Sequence, residues 1–155
     1  ISANSRFIAE AYLMVGLHYA SQEKFAESVV NLTYANEADP KLANVYVALA
    51  DVKMTEISPG VAGVATYIQK RDSVLAEAVQ LADTALTINP NLTSAYLTKA
   101  KALFFSDKIQ ESIAVLNSGK NVVQNDITLG VNEKKTLKGI IDTTIITYSQ
   151  SLTVN

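Results

Sequence analysis

The most constraining feature of this chain is a recurrence. Tyr12 and Tyr46 are 34 residues apart, Tyr46 and Tyr96 are 50 apart, and Pro40 and Pro90 are also 50 apart. Stepping by the same intervals carries Gly16 to Ala50 and Ala100, Leu32 to Ala82 and Leu116, and Ala35 to Ala85 and Gly119. One unit therefore occurs three times, about 9–42, 43–92 and 93–126, with a 16-residue insertion at 56–71 inside the second. A unit of this length cannot bury its own apolar face, so its copies must stack on one another.

Within a unit the apolar positions follow helical spacing. Tyr12, Val15, Gly16 and Tyr19 lie on one face of a first helix, and Phe25, Val29, Leu32 and Ala35 on one face of a second. Gly16, Ser28 and Ala35 are small enough for the two helices to approach closely. Asp39-Pro40 and Asn89-Pro90 end the second helices, because the residue before proline avoids the α conformation. In the second unit a helix from Lys41 or Leu42 to about Thr55 is expected, then a break at 58–60 and a long helix from about Val61 to Ile88. Those extra turns would carry Val61, Val64, Tyr67 and Ile68, which a partner would have to cover; a long loop over 57–71 is the other reading.

The stretch 9–40 resembles the tetratricopeptide repeat. Tyr12, Val15-Gly16, Tyr19, Ser28, Leu32, Ala35 and Pro40 stand in its characteristic slots. The third unit departs from it, with Lys99 and Leu103 at two slots and Gln124 in place of proline. The resemblance implies an all-α fold: one domain, a right-handed superhelical stack of antiparallel helical hairpins, or α-solenoid. It also implies a protein-binding role, with a concave groove lined by the first helix of each hairpin. Some members grip a peptide's terminal carboxylate there with Lys, Asn and Arg. The corresponding positions here are Leu13, Leu17, Ala48, Ser94 and Thr98, so that clamp is missing. The groove is expected instead to present Leu13, Leu17, Val47, Asp51, Leu97, Lys101 and Phe104, which suits an amphipathic helix or another subunit.

The tail 127–155 leaves the repeat. Asn132 with Glu133 reads as a helix start, and Leu137, Ile140, Ile141, Ile145, Tyr148 and Leu152 share a face. A capping helix is the simplest expectation. The β-branched run 143–147 favours a strand instead, which would make the segment an assembly tail presenting Ile145, Tyr148 and Leu152 to another copy.

Catalytic chemistry finds no foothold. His18 is the only histidine, expected to be partly buried with a local hydrogen bond, and cysteine is absent, so neither a zinc site nor a thiolate is available. The segment SPGVAG at 58–63 lacks the pattern of a phosphate loop. No enzyme, metal or cofactor is expected. A net charge of −2 leaves no nucleic-acid footprint, and no apolar run reaches the ~18–20 residues of a membrane span. Asn31 and Asn91 each open an N-linked glycosylation tripeptide. Only 18% of residues are charged, Ser, Thr and Asn fill the surface, and the chain starts at Ile1 as a processed protein or a fragment would. Together these suggest a secreted or cell-surface subunit that assembles with copies of itself, as in a filament. The alternative is a monomeric cytoplasmic or periplasmic adaptor that holds an amphipathic partner segment in its groove.

Overall fold

The computed structural model describes residues 3–55, 57 and 64–152, the side chains of 64–68 excepted. The insertion break at 58–60, and Val61 with it, lies outside the described residues. Among the described residues seven α-helices follow one another: α1 (Ala3–Ser21), α2 (Phe25–Ala38), α3 (Ala43–Met54), α4 (Val64–Ile88), α5 (Thr93–Phe105), α6 (Ile109–Asn125) and α7 (Val131–Gln150). The fold is a stack of antiparallel helical hairpins, α1–α2, α3–α4 and α5–α6, closed by α7.

The recurrent residues make recurrent contacts. The Tyr46 hydroxyl donates to the Pro40 carbonyl and the Tyr96 hydroxyl to the Pro90 carbonyl, each at 3.0 Å. Each bond ties a first helix to the turn that precedes it. Inside the hairpins, the buried Ser28 hydroxyl donates to the Gly16 carbonyl at 2.8 Å, and Ser112 does the same to Ala100 at 2.7 Å. Helices cross closely where side chains are smallest. A Cβ on Gly16 would sit 2.8 Å from Leu32, and one on Gly119 would sit 2.8 Å from Tyr96 Cβ.

The turns repeat too. Glu23 and Asp107 both adopt a left-handed backbone, with φ of 59° and 61°, between the two helices of a hairpin. The next N–H in each case, Lys24 and Lys108, donates to the Tyr19 and Leu103 carbonyls at 3.0 Å. Between hairpins, Asp39 and Asn89 each accept the backbone N–H two residues on. Arg6 adds an ion pair at 3.1 Å to Asp39, whose side chain is buried.

The core runs the length of the stack as successive apolar layers. Ala9, Leu13, Leu32 and Ala35 of the first hairpin meet Leu42, Val45, Ala48 and Val52. Ala43, Val47, Ala85 and Ala95 form a layer further on, and Ala100, Leu116 and Val123 meet Ile141 of α7. Each fully buried leucine contributes about 1.5–3 kcal/mol.

Two expectations at the helix ends are revised. α4 runs 25 residues against 14 for α2, so residues 64–71 are helix and not loop. α7 starts at Val131, with Gly130 and not Asn132 at its cap, because Glu133 Oε2 accepts the Gly130 N–H at 3.0 Å. The β-branched run 143–147 is helical: Thr143, Thr144 and Thr147 donate to the carbonyls four residues back, at 2.9–3.0 Å. Packing of Ile141 and Ile145 against α5 and α6 overrides the strand propensity.

Candidate interaction face

The first helices of the hairpins, α1, α3 and α5, contact one another in sequence and line one face of the stack. At its centre, Asp51 on α3 reaches across to α5. Its Oδ2 accepts the Thr98 hydroxyl at 3.2 Å, and its Oδ1 lies 3.6 Å from Lys101 Nζ. Both ionic side chains are about half exposed, so the pair is worth little to stability. Its effect is on chemistry: the lysine of this face is already matched by an aspartate.

The expected groove residues divide three ways. Leu17 on α1 is 48% exposed and open to a partner. Leu13 and Val47, by contrast, are buried in the stack, each among alanines and aliphatic side chains of neighbouring helices, and do not line an open groove. The physical reason is position: both lie on the flank of their helix that meets the next helix of the stack. Leu97 and Phe104 on α5 face the chain's own last helix. Leu97 packs on the cluster that holds Ile141, and the Phe104 ring stacks on Tyr148 with centroids 3.9 Å apart and planes 11° from parallel. α7 therefore covers the α5 end of this face. Burial pushes the Tyr148 hydroxyl above the 10.0 of an unperturbed tyrosine.

This also revises the expected assembly surface. Ile145 and Tyr148 turn inward as part of the cap, whereas Leu152 stays 41% exposed. Val64, Tyr67 and Ile68 have their backbone in α4, and their side chains are outside the described residues.

A feature without a clear sequence signal lies beside Phe104. A cavity of about 480 Å³ opens between the C-terminal ends of α3 and α5, Arg71 of α4, the start of α6 at Ile109 and Ser151 after α7. Met54, Ile57, Phe104 and Phe105 form its apolar part, and Arg71 and Asp107, paired at 3.2 Å, its polar part. Only the consecutive Phe104 and Phe105 hinted at it, since two adjacent aromatics on a helix cannot both face the same core.

Asn91 is exposed in the turn after Pro90, near Asn121 and Asn125. Asn31 is half-buried in the middle of α2, and its amide donates to the Glu27 carbonyl at 2.8 Å. His18, expected to be partly buried, is exposed, its Nε2 lying 3.0 Å from Gln22 Nε2. Among the described residues, no three His, Cys, Asp or Glu side chains converge as a metal site would require, and no helix is long and apolar enough to cross a membrane.

No protein-family model matches the chain, and no curated protein matches it. Its fold matches solved structures along nearly its whole length. The first tetratricopeptide repeat of Spaghetti bound to the HSP90 peptide SRMEEVD aligns with TM-score 0.67 and 18% identity, over 96% of this chain and 98% of that one. The TPR2B domain of yeast Sti1, in complex with an Hsp70 peptide, aligns with TM-score 0.69 and 19% identity, over 94% and 98%. The Arabidopsis OM64 TPR domain aligns with TM-score 0.62 and 14% identity, over 88% and 96%.

Proposed function

We propose that this chain, which has the fold of tetratricopeptide-repeat domains, is a non-enzymatic scaffold that holds a partner protein segment on the α1–α3–α5 face. The similar domains of Spaghetti and Sti1 are seen with HSP90 and Hsp70 peptides, which supports a peptide-binding use of the fold. The segment taken here differs in chemistry. The carboxylate-gripping positions hold Leu13, Leu17, Ala48, Ser94 and Thr98, and the lysine on the face, Lys101, is paired with Asp51. An acidic peptide end meets no uncommitted cation among these residues, whereas Leu17 offers an exposed apolar anchor. This combination carries the reading of an amphipathic helical ligand, read by apolar side chains at helical spacing.

The experiment that locates the ligand is backbone NMR of the labelled chain. Addition of an amphipathic helical peptide should shift the amides around Leu17, Asp51 and Lys101. Shifts confined to α2, α4 and α6 would sink the reading.

Self-assembly at a cell surface is the second reading. One observation favours it: Ile140 and Ile146 on α7 are about half exposed on its outer side. Its other intended anchors, Ile145 and Tyr148, are used inside the chain, so we place it second. A secreted location and glycan at Asn91 belong to that reading, and intact-mass measurement on native material tests the glycan.

A further inference from the structure

The last helix is held in two different ways along its length. In its first part, Lys134 donates to the Gln124 carbonyl at 3.0 Å and Lys138 to the Gln124 side chain at 2.8 Å. Asp142 pairs with Lys120 of α6, and Ile141 beside it is fully buried. From Thr143 on, the hydroxyls of Thr143, Thr144 and Thr147 turn back onto carbonyls of α7 itself. There Ile145 packs against the cluster that holds Ala100, and Tyr148 stacks on Phe104. Both contacts are apolar, and both side chains are only partly buried.

The same stretch is a poor helix by composition. Residues 143–147 are all β-branched, and such side chains lose rotamer freedom against the preceding helical turn. Its helical order depends on the cover it finds on α5, and a segment of this kind is where local opening costs least. Its position gives the opening a consequence. Phe104, under Tyr148, belongs to the α5 end of the α1–α3–α5 face. Beside Phe104 lies the cavity lined by Met54, Ile57 and Phe105, and Ser151, just past α7, forms part of its wall. With residues 143–152 lifted away, Phe104 and the cavity make one apolar site. What fits that site is seen in the chain itself: a helix presenting an aliphatic residue and, three positions on, an aromatic one.

We infer that residues 143–152 are a displaceable strap, an internal stand-in for the partner helix. The partner carries an aliphatic–aromatic pair at the same spacing and replaces Ile145 and Tyr148 on Phe104. The inference rests on the reading of the ligand as an amphipathic helix. It adds which end of the face is closed in the free chain, and what side chains open it. Strap and partner compete for one site, so the apparent affinity rises with the fraction of chains whose strap is open.

The test compares the full chain with two variants that alter the strap's helicity and leave Ile145 and Tyr148 in place. Thr143 and Thr147 are exposed. Thr143→Gly with Thr147→Gly loosens the strap, and Thr143→Ala with Thr147→Ala tightens it. Without ligand, amide hydrogen exchange should be at least about tenfold faster over 144–150 than over 134–141. It should be faster still in the glycine variant and slower in the alanine variant. Uniform exchange along α7 overturns the strap. The binding probe is a fluorescein-labelled peptide copying residues 140–152, which brings Ile145 and Tyr148 and needs no other ligand. It should bind the glycine variant at least about tenfold more tightly than the alanine variant. Equal binding to the two variants, or none to the glycine variant, overturns the proposal; a merely frayed helix end would give the exchange difference without the binding difference. The proposed function fails separately, through a leucine-faced peptide that ignores Leu17→Asp, and that result leaves the strap measurements unchanged.

Discussion

The Tyr96 hydroxyl donates to the Pro90 carbonyl at 3.0 Å, as Tyr46 does to Pro40. A recurrence visible in the sequence is thus a physical joint, in which a helix is pinned to the turn that delivers it. Tyr46→Phe and Tyr96→Phe should each cost about 0.5–1.5 kcal/mol in urea unfolding, the usual net value of one hydrogen bond. Tyr12→Phe should be silent, because Tyr12 makes no such bond among the described residues. Equal effects at all three positions would show that ring packing, not the hydroxyl, explains the recurrence.

Gly119 and Gly16 are held small by contact and not by backbone conformation. A methyl on Gly119 meets Tyr96 Cβ at 2.8 Å and Cγ at 2.9 Å, the stiff base of a side chain anchored at its far end to Pro90. On Gly16 it meets Leu32 at 2.8 Å and the Ser28 carbonyl at 3.3 Å. Alanine brings about 1 kcal/mol of helix propensity, and overpacking costs ~1–3 kcal/mol. Both variants should lower the thermal midpoint, Gly119→Ala more, since the flexible end of Leu32 can yield. Gly139, with nothing within 4 Å of an added Cβ, is the control: Gly139→Ala should raise it.

The docking of α7 should weaken in alkali. Burial raises the Tyr148 hydroxyl above its ordinary 10.0, so the folded state favours the neutral ring. The contribution is full below the unfolded value and is lost as pH rises through the raised folded one. Urea midpoints at about pH 9 and about pH 11 should fall more in the parent than in Tyr148→Phe, which keeps the stack on Phe104 without an ionisable group. In acid the relevant group is Asp126. The Thr128 hydroxyl and then its N–H, bonded at 2.6 and 2.8 Å, hold the carboxyl below 3.8. Its support of the turn before α7 should therefore persist until pH falls below that value.

Much of this architecture was legible because the repeated residues make local, repeated contacts: Tyr with Pro, Ser with a carbonyl twelve residues earlier, small residues at crossings. What was not legible depends on which end of the stack a helix occupies. Leu13 and Val47 fit an open groove by register, but both lie on the flank of their helix that packs on the next helix of the stack. Thr143, Thr144 and Thr147 read as strand because propensity ignores the cover that α5 and α6 give α7. The open flank of α1 carries Ile8, Ala11 and Met14 where α3 and its cap bury Leu42, Val45 and Ala48, so pattern alone could not distinguish it.

The most direct measurement of the proposed function is a paired titration by fluorescence anisotropy. One peptide is an amphipathic helix of about 20 residues with a leucine face and no net charge; the other is the acidic SRMEEVD. The amphipathic peptide should bind, and Leu17→Asp should weaken it at least about tenfold, or ~1.4 kcal/mol, while SRMEEVD should not bind either chain. Preferential, salt-sensitive binding of SRMEEVD, unaffected by Leu17→Asp, would contradict the account.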